Sequence, residues 1–90
     1  MRIVAVCGMG IGTSVLLKMN AEKVLRSMGI DATVEACDVA TARRSAENAN
    51  IVLTTPELVE SLKGLSAEII AIEHFFDLQE ITQKLSKSLL

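Results

Sequence analysis

Residues 2–14 read RIVAVCGMGIGTS, and this stretch decides the fold. Arg2 to Val6 is short, β-branched and apolar on both faces, the pattern of a strand buried in a parallel sheet. A glycine-rich turn follows at once, Cys7-Gly8-Met9-Gly10-Ile11-Gly12. From Thr13 to Met28 apolar residues recur at Leu17, Ala21, Val24, Leu25 and Met28, a helical stripe. Gly29 is placed to stop that helix. Strand, glycine turn and helix in direct succession are the opening of an α/β sheet.

Outward from this stretch the alternation continues. Ala32–Cys37 reads as a second strand, Asp38–Ala46 as a short helix, Asn48–Asn50 as a turn and Ile51–Thr54 as a third strand. Thr55-Pro56-Glu57 has a hydroxyl cap, a proline at the first helical position and then an acid, which predicts a helix ending near Gly64. Ile69–Ile72 reads as a fourth strand. Asp77 and Glu80 have capping-box spacing, and Leu78, Ile81, Leu85 and Leu89 give the last helix one apolar face. Connections this short predict a three-layer α/β fold with right-handed crossovers: a four-stranded parallel sheet, order 2-1-3-4, with helices on both faces. The expected organisation is one domain over residues 1–90. In such sheets ligands bind beyond the carboxyl ends of the strands, at the switch point beside strand 1. Cys7 and its glycine loop sit there.

Composition narrows the function. The chain has 90 residues, half of them hydrophobic, which excludes intrinsic disorder. Phe75 and Phe76 are the only aromatics and the net charge is −2, against a nucleic-acid footprint or a polybasic membrane anchor. The longest apolar run, Ile3 to Cys7, is far short of a membrane span and of a signal peptide. The expectation is a cytoplasmic protein that does not insert in a membrane. Two cysteines without a CxxC and a lone histidine give no metal site of the usual spacing. No metal and no cofactor are expected.

The loop Cys7-Gly8-Met9-Gly10-Ile11-Gly12-Thr13-Ser14 reads as a phosphate cradle. Its glycines allow positive φ and close backbone approach, successive N–H groups form an anion nest, and the helix start adds free donors and the positive end of its dipole. Thr13 and Ser14 add hydroxyls. Cys7 opens the cradle, where loop donors favour its nucleophilic thiolate form. An inert buried cysteine would not need such a loop. The segment is not a Walker A loop, since no lysine precedes Thr13 or Ser14, and Gly8, Gly10 and Gly12 do not space as GxGxxG.

Low-molecular-weight tyrosine phosphatases share a Cys-x5-Arg-Ser/Thr loop after strand 1 of a similar sheet. Here Thr13 stands where their arginine grips the phosphoryl group. Their general acid lies beside a proline on a later loop, whereas Pro56 here lies between Thr55 and Glu57. The cradle is present without the hydrolytic equipment, which suits a carrier whose intermediate waits for its acceptor.

The run from Ile3 to Ser14, with Lys18-Met19 and a late Phe75-Phe76-Asp77, resembles the IIB components of the bacterial phosphoenolpyruvate-dependent sugar phosphotransferase system, most of all the ascorbate type within the ascorbate/galactitol group. The resemblance covers essentially the whole chain. It implies that Cys7 is phosphorylated by a phosphohistidine on a IIA donor protein, that Gly8, Met9, Gly10, Ile11, Gly12, Thr13 and Ser14 wrap the phosphate, and that the phosphoryl group passes to a sugar bound by a membrane IIC permease. A carrier that docks two partners in turn is most simply a monomer. Two alternatives stay open: a phosphatase or arsenate reductase-like enzyme, and a regulatory binding module.

Other residues carry weaker signals. Met9 and Ile11 could contact partners from the loop crown or tuck into the fold. Cys37, ending strand 2, could form a redox pair with Cys7 but reads as an unreactive thiol. Asp38 reads as a helix cap, Arg43 and Arg44 as a solvated helix face, and His74 as a solvated loop residue.

Overall fold

The computed structural model describes residues 1–8 and 11–89, with the side chains of Ile11 and Gly12 left aside. Its elements are β1 (Arg2–Cys7), α1 (Ile11–Ser27), β2 (Thr33–Asp38), α2 (Val39–Ser45), β3 (Ile51–Thr54), two 3₁₀ turns (Pro56–Leu58 and Glu60–Leu62), β4 (Glu68–Ala71) and α3 (Leu78–Leu89). The four strands form one sheet in the order β2-β1-β3-β4, every pairing parallel, as expected.

β1 is buried on both faces because each has its own core. Ile3 and Ala5 join Ile51, Leu53, Ile70 and Ile72 under α1 and α3, which contribute Leu17, Ala21, Val24, Leu25, Ile81 and Leu85. Val4 and Val6 join Val52, Cys37, Ala42, Ala46 and Leu62 under α2 and the 3₁₀ turns. α1 ends as its glycine predicts. Gly29 takes φ +72°, its N–H bonds the Arg26 carbonyl, and the Ile30 N–H bonds that of Leu25, a Schellman arrangement.

Three expectations need correction. Residues 55–64 start helically at Pro56 but do not form one continuous α-helix. Only Leu58 and Leu62 offer apolar contacts on this short stretch, too few to repay a helical nucleus, so the chain settles into two 3₁₀ turns. Leu78 is 42% exposed: it opens α3 at the rim, and the buried face begins at Ile81. Positive φ is confined, among the described glycines, to Gly29 and Gly64, so Gly8 does not turn that way, and Gly12 lies in the first turn of α1. Gly10 and Met9 lie outside the described residues. No described helix is long and apolar enough to cross a membrane.

Candidate functional site

Cys7 is the last residue of β1 and has no exposed surface. The chain leaves it through Gly8 and enters α1 at Ile11, so the cysteine faces the end of the sheet from which the first-turn amides and the positive dipole end of α1 point. Thr13 is half-buried in that first turn and Ser14 fully buried.

Register fixes the neighbours of Cys7. On one side it pairs with Asp38 of β2. On the other, the β1–β3 ladder runs to Ala5 opposite Leu53, and then a side chain takes over: the buried Thr54 hydroxyl donates to the Val6 carbonyl at 3.1 Å. One step further, Thr55 stands level with Cys7. Its backbone is extended (φ −88°, ψ 158°), so strand alternation gives the two residues the same face. Cys7, Gly8, Thr55, Glu57 and Leu58 line a cavity of about 250 Å³. A Cβ on Gly8 would meet the Leu58 methyls at 3.5 Å and 3.6 Å, ordinary contact, so bulk alone does not demand glycine there.

The acids and bases nearby are largely committed. Asp38 caps α2: its carboxylate accepts the Thr41 N–H at 2.9 Å and the Thr41 hydroxyl at 3.0 Å, and these bonds hold its carboxyl below the usual range. Its reading as a cap is correct. Arg43, expected to be simply solvated, donates to the carbonyls of Ser61 and Lys63 and so ties α2 to the second 3₁₀ turn. Arg44 is exposed.

The second cysteine is separated from the first by the sheet itself. Cys37 pairs with Val6, one position before Cys7, and shares Val6's core. Alternation therefore assigns Cys7 to the opposite face. Burial pushes the Cys37 thiol up, against weaker hydrogen bonds from Ser45 and Thr41, which fits the inert reading. Both cysteines are thiols rather than a disulfide.

His74, Asp77 and Glu80 bring ligand atoms within 4.8 Å of one another. Those atoms are spent on the fold. Asp77 accepts the Gln79 and Glu80 N–H groups at the start of α3. Glu80 does not return to the Asp77 N–H as a capping box would. It accepts instead the N–H groups of Glu73 (2.7 Å) and His74 (3.0 Å) and the Lys84 ammonium (2.8 Å), and lies 3.1 Å from His74 Nδ1. Burial alone would raise its carboxyl, but these donors outweigh it and hold the group at about 2. A larger hollow of about 420 Å³ lies between β4 and α3 around Lys84 and Lys87, away from both cysteines, and its one hydroxyl, that of Ser88, donates to Glu68 at 2.6 Å.

The feature that sequence reasoning missed is Thr55. Its hydroxyl was expected to cap a helix; it makes no capping bond, its oxygen is buried, and it has no hydrogen-bond partner. Only the failure of the local helix reveals it.

Comparison with known proteins identifies the family. A family model described as "PTS system, Lactose/Cellobiose specific IIB subunit" matches residues 2–87. An "Ascorbate-specific PTS system EIIB component" of Mycoplasma pneumoniae is 33% identical over 90 residues, 99% of this chain and 95% of its own length. A protein of the same description from Escherichia coli O157:H7 is 35% identical over 57 residues, 63% of this chain and 56% of the relative. Among solved structures, the lactose-specific IIB domain of Streptococcus pneumoniae superposes with a TM-score of 0.66 at 16% identity, covering 99% of this chain and 90% of the other. A low-molecular-weight protein tyrosine phosphatase of Bacillus subtilis superposes with a TM-score of 0.61 at 11% identity, covering 97% and 89%. At these identities the two structures speak to the fold, the sheet that both families share.

Proposed function

The chain belongs to the IIB subunit family of the sugar phosphotransferase system, and from that premise we propose that Cys7 is the residue that carries the phosphoryl group. The observation that carries this reading is the placement of Cys7. It stands at the carboxyl end of β1, one of the two inner strands, at the switch point of the sheet, beside the start of α1 and on a small cavity.

The transfer balances with a phosphohistidine donor on a IIA protein. The Cys7 sulfur attacks phosphorus and an S–P bond forms. The P–N bond of the donor breaks, its electron pair stays on the imidazole, and the thiol proton ends there. Residues 8–14 surround the new phosphoryl group, their N–H donors and the helix start offsetting its charge. The second transfer reverses the logic: a sugar hydroxyl on a membrane IIC partner attacks phosphorus and the cysteine leaves as thiolate. No cofactor enters either step.

The cavity size bears on where the sugar sits. About 250 Å³ is below the roughly 300–1,000 Å³ of pockets that enclose small molecules. It suits a phosphoryl group and leaves sugar recognition to the partner. The names of the relatives favour an ascorbate-type sugar. The chain would then work as a monomer on the cytoplasmic side, docking donor and permease in turn.

One observation favours a second reading. Glu57, next to Pro56, lines the cavity with Cys7, much as a phosphatase places its acid beside a proline. Against it, Thr13 replaces the arginine that hydrolysis needs. The test is incubation with phosphoenolpyruvate, the general phosphotransfer proteins and a IIA protein, followed by intact-protein mass spectrometry. A stable phosphoryl adduct, discharged by IIC with sugar, supports the carrier. Steady turnover of an aryl phosphate with no lasting adduct supports the phosphatase.

A further inference from the structure

Cys7 has a neighbour on each side at the carboxyl end of the sheet, and the two are used differently. Asp38, its β2 partner, spends its carboxylate on α2. Thr55, level with it beyond β3, spends its hydroxyl on nothing: the oxygen is buried with no partner. The preceding Thr54 hydroxyl shows that a partner was within the fold's means, since that one bonds the Val6 carbonyl. The first 3₁₀ turn offers no escape either, because Pro56 supplies no N–H and Thr55 makes no capping bond to the residues after it. A buried hydroxyl without a partner costs stability, and such a group in a native structure calls for an explanation. Thr55 shares its cavity and its face of the sheet with Cys7.

We infer that the Thr55 hydroxyl is a ligand of the phosphoryl group, donating a hydrogen bond to one of its oxygens when that group occupies the Cys7 cavity. The inference rests on the reading of Cys7 as the phosphoryl carrier. The hydroxyl is left unmatched in the resting protein and matched in the loaded one. It therefore favours the phosphorylated state over the free one, and it does so from the residue that follows β3.

The sign of the stability effect makes this testable. Thr55→Val keeps the shape and removes the unmatched hydroxyl. It should raise the Tm of the unphosphorylated protein by roughly 2–6 °C. The same change should slow phosphoryl acceptance from the IIA donor about tenfold, the usual loss for a hydrogen bond to a charged group. It should also abolish the Tm increase that inorganic phosphate gives the wild type. Thr55→Ser, which keeps the hydroxyl, should restore most of the rate and the phosphate response. Wild-type acceptance by Thr55→Val overturns the inference. So does a lowered Tm in that variant, since the hydroxyl would then hold a structural bond. If wild type accepts no phosphoryl group at all, the Cys7 reading falls. The phosphate response then decides Thr55 on its own: its loss in Thr55→Val supports the ligand role, and its retention contradicts it.

Discussion

Two stretches of this chain carry the same promise of a helix and keep it differently. Thr55-Pro56-Glu57 and Asp77-Leu78-Gln79-Glu80 each place a capping oxygen before an acidic first turn. At the second, every cap is used: Asp77 takes two N–H groups, Glu80 takes two more and Lys84, and α3 runs from Leu78 to Leu89. At the first, the cap is idle, the helix breaks into 3₁₀ turns, and the residues line a cavity beside Cys7. The saturated polar groups hold the scaffold together, and the idle one, Thr55, is the group we infer to meet the phosphoryl group.

The largest effect expected from this contrast is at Glu80. Glu80→Ala leaves the Glu73 and His74 N–H groups without their acceptor and Lys84 with only the Ala71 carbonyl, and should cost about 2–3 kcal/mol in denaturant unfolding. Phosphoryl acceptance by the folded fraction should not change; a loss there would mean the β4–α3 loop belongs to the site. The same group predicts an acid limb. Its folded value is held at about 2 against 4.5 in the unfolded chain. Its contribution is therefore complete above about pH 4.5 and is lost as pH falls towards 2. Tm measured down this range should fall more steeply in wild type than in Glu80→Gln.

Asp77→Ala comes next, at about 1 kcal/mol, the usual loss of an N-cap. The smallest stability effect belongs to the idle side. Glu57→Gln should leave stability within about 0.5 kcal/mol, because Glu57 is exposed. It removes a negative charge from the cavity proposed to receive the phosphoryl group, so acceptance should be modestly faster. A variant that instead loses aryl phosphate hydrolysis would identify Glu57 as a general acid and reverse the comparison.

The contrast also explains what could be read in advance. The strand order was legible because β-branched runs separated by short connections leave few topologies, and Ile51–Thr54 matches residue for residue. The caps at Asp38 and Asp77 were legible because their partners lie within three residues. The 55–64 segment was misread because capping signals announce a helix start but do not supply the apolar face that sustains it. Arg43 escaped for a different reason: the carbonyls it binds lie 18 and 20 residues away, and no local pattern encodes them. Cys7 stood out as the candidate chemical residue from its loop. Its complete burial, and the idle hydroxyl beside it, follow from the register of β3 against β1 and needed the assembled sheet.

The face separating the two cysteines gives one further test. Cys37→Ala should transfer phosphoryl groups at the wild-type rate, with only the small stability loss of a trimmed core side chain. A large fall in transfer would place both thiols in one site and contradict the register.

The most direct measurement of the central claim is the location of the phosphoryl group. Wild type and Cys7→Ser would be incubated with the phosphorylated IIA donor and mapped by peptide mass spectrometry. The account predicts one phosphoryl group on wild type, on the peptide and side chain of Cys7, and none on a Cys7→Ser protein that melts as wild type does. A phosphoryl group on any other residue, or an equal adduct on Cys7→Ser, contradicts it.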